Sequence, residues 1–301
     1  MCDAPFFPPE LEREIFETAA ELYPETILPL LHVSRRVHDW IEWIQYRTVT
    51  PFGTLSTCPA QVLLDAIQSN LKPESFFRDR VRHLHISGFN REALEVAPKL
   101  LSACNAVQTL RMTIDADQIQ PELILPALAA LKLRRLSAYL KFIFAGSVPD
   151  CMPVLTSVTH LNIFDWLPSS PATNDQLSSW LIQFPVLTHV TIRHDSVPLA
   201  RNILGLCKNL QVLIFLQQEW HKHRKREGIP WPEDDRFVWM LTKSAGKEKD
   251  WIIGSNGGMD FWISAEIFIV KKRSGEIKPS SRCWIERTDK IGCEYFTDDT
   301  R

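Results

Sequence analysis

The sequence predicts an α/β chain: a small helical module at the start, a solenoid of repeated strand and helix units whose strands form one parallel sheet, and a C-terminal cap. Three observations carry that expectation. A unit of the form apolar-x-x-Leu-x-apolar recurs six times between residues 81 and 218. Helix-like stretches separate the units, and the first fifty residues have helical periodicity with prolines only where helices begin or end.

Taken in order, the chain opens with Pro8 and Pro9, after which Leu11, Ile15, Ala19 and Leu22 fall at helical spacing, with Glu10, Glu12, Glu14 and Glu17 near the positive end of the helix dipole. Pro24 ends this helix. Pro29 fits only the opening turn of the next, which is therefore short. From Val33 onward, Val37, Trp40, Ile41 and Ile44 make a further apolar stripe. A triplet of about fifty residues is too small to be stable without a partner surface.

These residues resemble the F-box, the adaptor-docking module of cullin-RING ubiquitin ligases. Phe7-Pro8-Pro9-Glu10-Leu11 is similar to that family's leucine-proline-x-glutamate-leucine opening, Ile15-Phe16 falls on its next apolar pair, Val33-Ser34-Arg35-Arg36 resembles its valine-cysteine-arginine-arginine element, and Tyr46-Arg47 stands near its closing tryptophan. Val37 departs from the tryptophan usual after the arginine pair, and Glu17 to Thr26 is a few residues long for the pattern. The stretches FPPELEREIF and LLHVSRRVHDWIE resemble a large group of F-box-like proteins of fungi that carry degenerate repeats behind the module. The resemblance implies an F-box-like module over residues 1–50 that binds a ligase adaptor through Phe7, Pro8, Pro9, Leu11, Ile15, Leu30, Leu31 and Val33. A competing reading makes the same helices a plain N-terminal cap for the repeats.

A connecting helical segment is expected over residues 51–80, followed by six irregular repeats over 81–218. Their central residues are Leu84, Leu110, Leu136, Leu161, Val190 and Leu213, and the spacing lies within the leucine-rich-repeat period. Each unit offers a strand whose alternate residues point inward while a helix closes the back, and no unit can bury that face alone. The asparagine that usually follows the strand is replaced by Phe89, Asp115, Lys141, Trp166, Asp195 and Gln218, so irregular bends are expected.

Residues 219–301 are expected to supply a loop, an edge strand at Phe237 to Leu241, and a capping helix. Asp260 suits its N-cap, Phe261, Trp262, Ala265, Phe268 and Ile269 share one face, and Gly275 suits its end. This helix is expected to hide the open edge of the sheet. Residues 276–301 read as polar and prone to fray.

Strand alternation sends the neighbours of the central residues to the concave face. One column reads His83, Thr109, Arg135, His160, His189 and Val212; the other reads His85, Arg111, Ser137, Asn162, Thr191 and Ile214. His83, His85, Arg111, Arg135, Asn162 and His189 are the candidate target-binding residues. The arginines suit an acidic or phosphorylated segment, and histidines beside them are expected to titrate no higher than neutrality, strengthening capture at mildly acidic pH. The alternative is a merely solvated face.

Composition limits the function classes. With 301 residues, 45% hydrophobic and 23% charged, the chain can bury a sizeable core. A formal charge of -2 and a pI near 6.5 leave no overall basic field for nucleic acid or an acidic membrane. The seven cysteines, Cys2, Cys58, Cys104, Cys151, Cys207, Cys283 and Cys293, stand singly, which predicts reduced thiols and a cytoplasmic or nuclear location. The acidic, proline-bearing start is unlike a signal peptide, and no apolar run is long enough for a membrane span.

Chemistry-bearing motifs are sparse. Gly254, Gly257 and Gly258 have no phosphate-loop context and read as a turn before the Asp260 helix. His221 and His223 lie in HKHRKR, a solvated loop or a nuclear-localisation patch, without further metal ligands at a recognisable interval. His194-Asp195 has no nucleophile motif beside it. The expectation is a non-enzymatic protein-binding receptor without metal or cofactor, a ligase subunit that holds an unidentified target. The alternative is a leucine-rich-repeat interaction protein that binds no adaptor.

Overall fold

A computed structural model describes residues 7–50, 59–88, 91–114, 121–144, 153–165, 170–193, 196–218, 229–242 and 246–291. Phe89, Asp115, Trp166, His194, Asp195 and the HKHRKR run lie outside the described residues, as do Cys2, Cys58, Cys151 and Cys293.

The N-terminal helices form where the prolines allow them. Helix α1 (Pro9–Leu22) takes proline in its first turn, where no amide hydrogen is required, and stops before Pro24, which opens a single 3-10 turn (Pro24–Thr26). Helix α2 (Ile27–Leu31) is five residues long with Pro29 in its first turn. Helix α3 (Arg35–Ile41) is capped by Ser34, whose hydroxyl accepts from Val37 N at 3.3 Å, and α4 (Ile44–Arg47) follows. Ala20, Ile27, Val37, Ile41 and Ile44 form a small core, with Phe16, Leu30, Leu31, Trp40 and Trp43 packed on it.

Leu11, Ile15 and Leu22 do not face this core; they point to solvent, Leu22 at 67% exposure. The inward face of α1 is instead Glu12, Phe16 and Ala20, one turn apart, because Phe16 and Ala20 pack on the core and Glu12 ion-pairs with Arg36 of α3.

Among the described residues eight strands follow in one sheet, all parallel and adjacent in chain order: β1 (Thr48–Val49), β2 (His83–Gly88), β3 (Thr109–Ile114), β4 (Arg135–Ala138), β5 (His160–Ile163), β6 (His189–Ile192), β7 (Val212–Gln218) and β8 (Phe237–Thr242). Leu84, Leu110, Leu136, Leu161, Val190, Leu213 and Phe237 stand side by side in register. None of the seven is more than 2% exposed. They face a back layer of helices: α5 (Pro59–Gln68), α6 (Glu74–Arg80), α7 (Arg91–Ala103), α8 (Pro121–Ala129), α9 (Leu140–Ile143), α10 (Pro171–Leu181) and α11 (Val197–Leu206). A 3-10 turn at Pro153–Thr156 takes the place of a helix before β5. In place of an asparagine ladder, the buried Asp165 carboxylate accepts the amides of Leu140 at 2.5 Å and Lys141 at 3.1 Å.

The front of the sheet is covered as well. Helices α12 (Gly246–Ser255) and α13 (Phe261–Arg273) lie across it, joined by a turn in which Gly257 adopts φ +81°. Over β7 and β8 the cover is apolar: Val212, Ile214, Leu216, Val238 and Met240 meet Trp262, Ala265, Phe268 and Ile269, with Ile277, Ile285 and Ile291 from the chain beyond α13. The helix therefore covers a face, and the edge is met by a later segment: Trp239 N donates to Cys283 O at 2.6 Å, and Trp239 bridges Trp284 in parallel. Residues 276 to 291 are thus packed, not frayed. Arg282 and Asp289, each about 5% exposed at the side chain, pair at 2.6 Å inside this segment.

Phe268 is wholly buried at the centre of the front core, whereas Val270 on the same helix is 64% exposed. Phe268→Ala is expected to lower unfolding free energy by about 3–5 kcal/mol, and Val270→Ala by less than about 0.5 kcal/mol. Urea denaturation of the two variants checks this.

Candidate functional site

The first candidate surface is apolar. Seven of the fifteen large apolar side chains that are exposed among the described residues lie between Phe7 and Val33: Phe7, Leu11, Ile15, Leu22, Tyr23, Leu28 and Val33. Of the residues expected at an adaptor interface, Phe7, Pro8, Pro9, Leu11, Ile15 and Val33 are exposed, while Leu30 and Leu31 are half-buried against the module's core. The opposite side of the module packs on α6, where Tyr46, Phe76 and Phe77 meet edge to face at centroid distances of 5.3 to 5.4 Å.

The second is the concave face. Its two columns are in register as alternation requires, with His83, Thr109, Arg135, His160, His189 and Val212 in one row and His85, Arg111, Ser137, Asn162, Thr191 and Ile214 in the next. The expectation that this face is open to solvent is corrected: His85, Arg111, Asn162 and His189 are all buried, because α12 and α13 lie over them. The His85 ring lies tilted by 58° against Trp251, centroids 5.6 Å apart, and its Nδ1 lies 3.2 Å from Glu248 Oε1. Arg135 Nη1 donates to Asp260 Oδ2 at 2.8 Å. His189 Nε2 meets Glu266 Oε1 at 2.8 Å. Only His83 and Arg135 of the six residues remain half-exposed.

Burial governs the electrostatics of this face. It pushes His85 and His160 down to about 3, aided by Arg111 beside the first and by His189 and Arg135 beside the second. His83 falls to about 4 from burial and then from Arg47, Arg135 and Arg82. His189 is lowered too, chiefly by burial. Arg111 is driven to about 10 by burial and then by Arg193; both guanidinia stack on the Phe164 ring, at 5.0 Å and 4.7 Å. His83, His85 and His160 are therefore neutral at physiological pH, and mild acid does not charge them while the fold holds.

His160, His189 and Glu266 bring ligand atoms within 4.8 Å of one another. The two imidazoles are stacked at 4.0 Å with planes 5° apart, and an ion in the plane of one ring cannot lie in the plane of the other. Thr159 and Thr188 hydroxyls hold their Nδ1 atoms at 2.9 and 2.8 Å, and Trp262 packs edge-on against both rings. The arrangement is that of a packed polar column.

Sequence reasoning missed the partners of the face: Glu248, Trp251, Asp260, Trp262 and Glu266. Asp260 and Trp262 were visible as a helix start and an apolar position, but nothing local ties them to β4, β5 and β6. No protein-family model matches the chain, and no curated protein is significantly similar to it. The fold defines an α/β chain with one eight-stranded parallel sheet, and no helix among the described residues is long and apolar enough to cross a membrane.

The lowered histidines set a pH dependence. An unfolded imidazole titrates near 6.5, so between that value and the folded values the unfolded chain binds more protons, and stability present above pH 6.5 is lost as pH falls. At pH 5 each of His83, His85 and His160 is expected to cost about 2 kcal/mol relative to neutral pH. Urea midpoints at pH 7.5 and 5 should separate strongly for the native chain and less for a His85→Gln, His160→Gln double variant.

Proposed function

We propose that this chain is a non-enzymatic binding protein, a substrate-recognition subunit of a cullin-RING ubiquitin ligase. On this reading the N-terminal helices are an F-box-like module docked on the ligase adaptor, and the sheet with its back helices is an irregular leucine-rich-repeat solenoid that holds a target. The protein then contributes proximity, works in the cytoplasm or nucleus, and needs no cofactor. The observation that carries the reading is the exposed apolar face of α1 with its neighbours Phe7, Leu28 and Val33. Exposed apolar side chains in that number, on a module too small to stand alone, are suited to a partner. Because α12 and α13 cover most of the concave residues, target capture on this reading uses the uncovered end of the sheet, where His83 and Arg135 lie.

A second reading has its own support. The packing of Tyr46 on Phe76 and Phe77, with Lys72 Nζ at 2.6 Å from Glu42, ties the module to the sheet layer as a cap would be tied. Under it the chain is an interaction protein that binds no adaptor.

One experiment separates the two. The wild-type chain is expected to bind the adaptor, and Leu11→Ala with Ile15→Ala to weaken that binding by a few kcal/mol, on the order of a hundredfold or more. The thermal midpoint should stay within about 2 °C, since both side chains are about half exposed in the free chain. Calorimetric titration reads both effects. Absence of adaptor binding in the wild type leaves the capping reading standing.

A further inference from the structure

Between the front cover and the sheet, beside β7 and β8, lies a pocket with a free volume of about 10 Å³, room for one water molecule or one monatomic ion. Two guanidinia line it, Arg111 from β3 and Arg193 immediately after β6. Asn162 of β5, Asp250 of α12 and Phe261 of α13 face them, and Leu216 and Met240 add apolar walls. The pocket therefore lies where the sheet and both covering helices meet.

Arg111 is 7% exposed and Arg193 is half-buried, yet among the described residues neither guanidinium has a hydrogen-bond partner or a paired carboxylate. Buried cations are ordinarily paired. The Nε of each is sealed and unpartnered, which leaves the forked Nη ends to reach the pocket. Burial depresses both groups, and Arg193 further lowers Arg111. Some compensation is present: both lie over the Phe164 ring, and Glu248, Asp250 and Tyr139 favour the charge of Arg111 through space. Of these, Asp250 alone lines the pocket, and its Oδ1 accepts from Phe261 N at 3.0 Å. Glu248 lies at His85 outside the lining, and burial raises its carboxyl. Among the described residues, two guanidinia against one carboxylate leave the lining with a surplus of one positive charge.

We propose that this pocket binds one monovalent, monatomic anion, a chloride ion, between Arg111 and Arg193. The surplus of one charge matches a monovalent ion, and the free volume is too small for phosphate, sulfate or an organic carboxylate. Guanidinium N–H groups donate to a spherical acceptor from any direction that the fork allows. Asn162, 5% exposed, has its Oδ1 sealed, so its Nδ2 is the end left to donate. Water could accept the same hydrogen bonds but would leave the charge uncompensated, at a cost that the apolar walls raise. The bound ion joins β3 and the end of β6 at the point where α12 and α13 close over them, and so helps to hold the cover on the sheet.

The test is urea denaturation of the full chain at pH 7.5 and constant ionic strength, with chloride replaced stepwise by gluconate, which is too large for the pocket. The folding constant is expected to rise about tenfold for each tenfold rise in chloride above its dissociation constant, and bromide should substitute for chloride. Arg193→Met removes one charge and keeps the stem; its folding constant is expected to vary by less than about twofold over the same range. Exposed Arg273 on α13, outside the pocket, gives the control Arg273→Met, expected to keep the full dependence. A native chain indifferent to chloride overturns the proposal, as does a chloride dependence that survives in folded Arg193→Met. Diffraction at the bromine absorption edge from a crystal of the native chain grown in bromide reads the site without any variant. An anomalous peak between the two guanidinia is expected, and its absence overturns the proposal in favour of a bound water.

Discussion

The buried carboxylate of Asp260 joins the two halves of this molecule. It caps α13 by accepting from Ile263 N at 3.0 Å, and it holds Arg135 of β4, 125 positions earlier, at 2.8 Å. Burial raises its carboxyl, and the Ile263 amide and Arg135 oppose that shift. Without those donors the charge would be stranded in a medium that solvates it poorly. Its placement requires Gly254: a methyl group there would sit 2.2 Å from Asp260 Oδ2. The end of one helix, the start of the next and the middle of the sheet are thereby fixed at a single point. Every polar contact across the front face, from Glu248 at His85 to Glu266 at His189, depends on α12 and α13 being held at that place.

The sheet was legible in the sequence because its signal is local and repeated. Spacing places Leu84, Leu110, Leu136, Leu161, Val190 and Leu213 in one row, and alternation alone then assigns the flanking rows. What lies over those rows was not legible. A histidine or arginine on a strand face reads as solvated, since water is the default partner of a polar group, and nothing within a few residues of Arg135 or His189 indicates Asp260 or Glu266. Periodicity alone does not orient α1. Its residues at 11, 15 and 22 and its residues at 16 and 20 are both apolar sets, and only the position of α3 decides which is inside. The glycine cluster was readable as a turn; the reason position 254 in particular must lack a side chain is a close approach that only the folded chain contains.

The molecule thus divides its apolar surface unevenly. Apart from the open end where His83 and Arg135 lie, the sheet is covered on both faces: by the back helices, by tryptophans and paired side chains over β2 to β6, and by an apolar cluster over β7 and β8. The N-terminal module, by contrast, leaves a row of leucine, isoleucine and valine in water. That asymmetry is what separates a surface suited to a partner from a core.

The order of the strands has a consequence for how such a chain is made. Each strand pairs with the one synthesised just before it, so the sheet can grow as the chain leaves the ribosome, with short loops closing first. The front face of β7 and β8 has no such immediate partner. Val212, Ile214, Leu216, Val238 and Met240 are complete before Trp262, Phe268 and Ile285 exist. For the interval needed to synthesise some fifty residues, at about 5–20 residues per second, the nascent protein carries a bare apolar sheet face at its growing end. Chaperone engagement in the cell would concentrate at that point in synthesis.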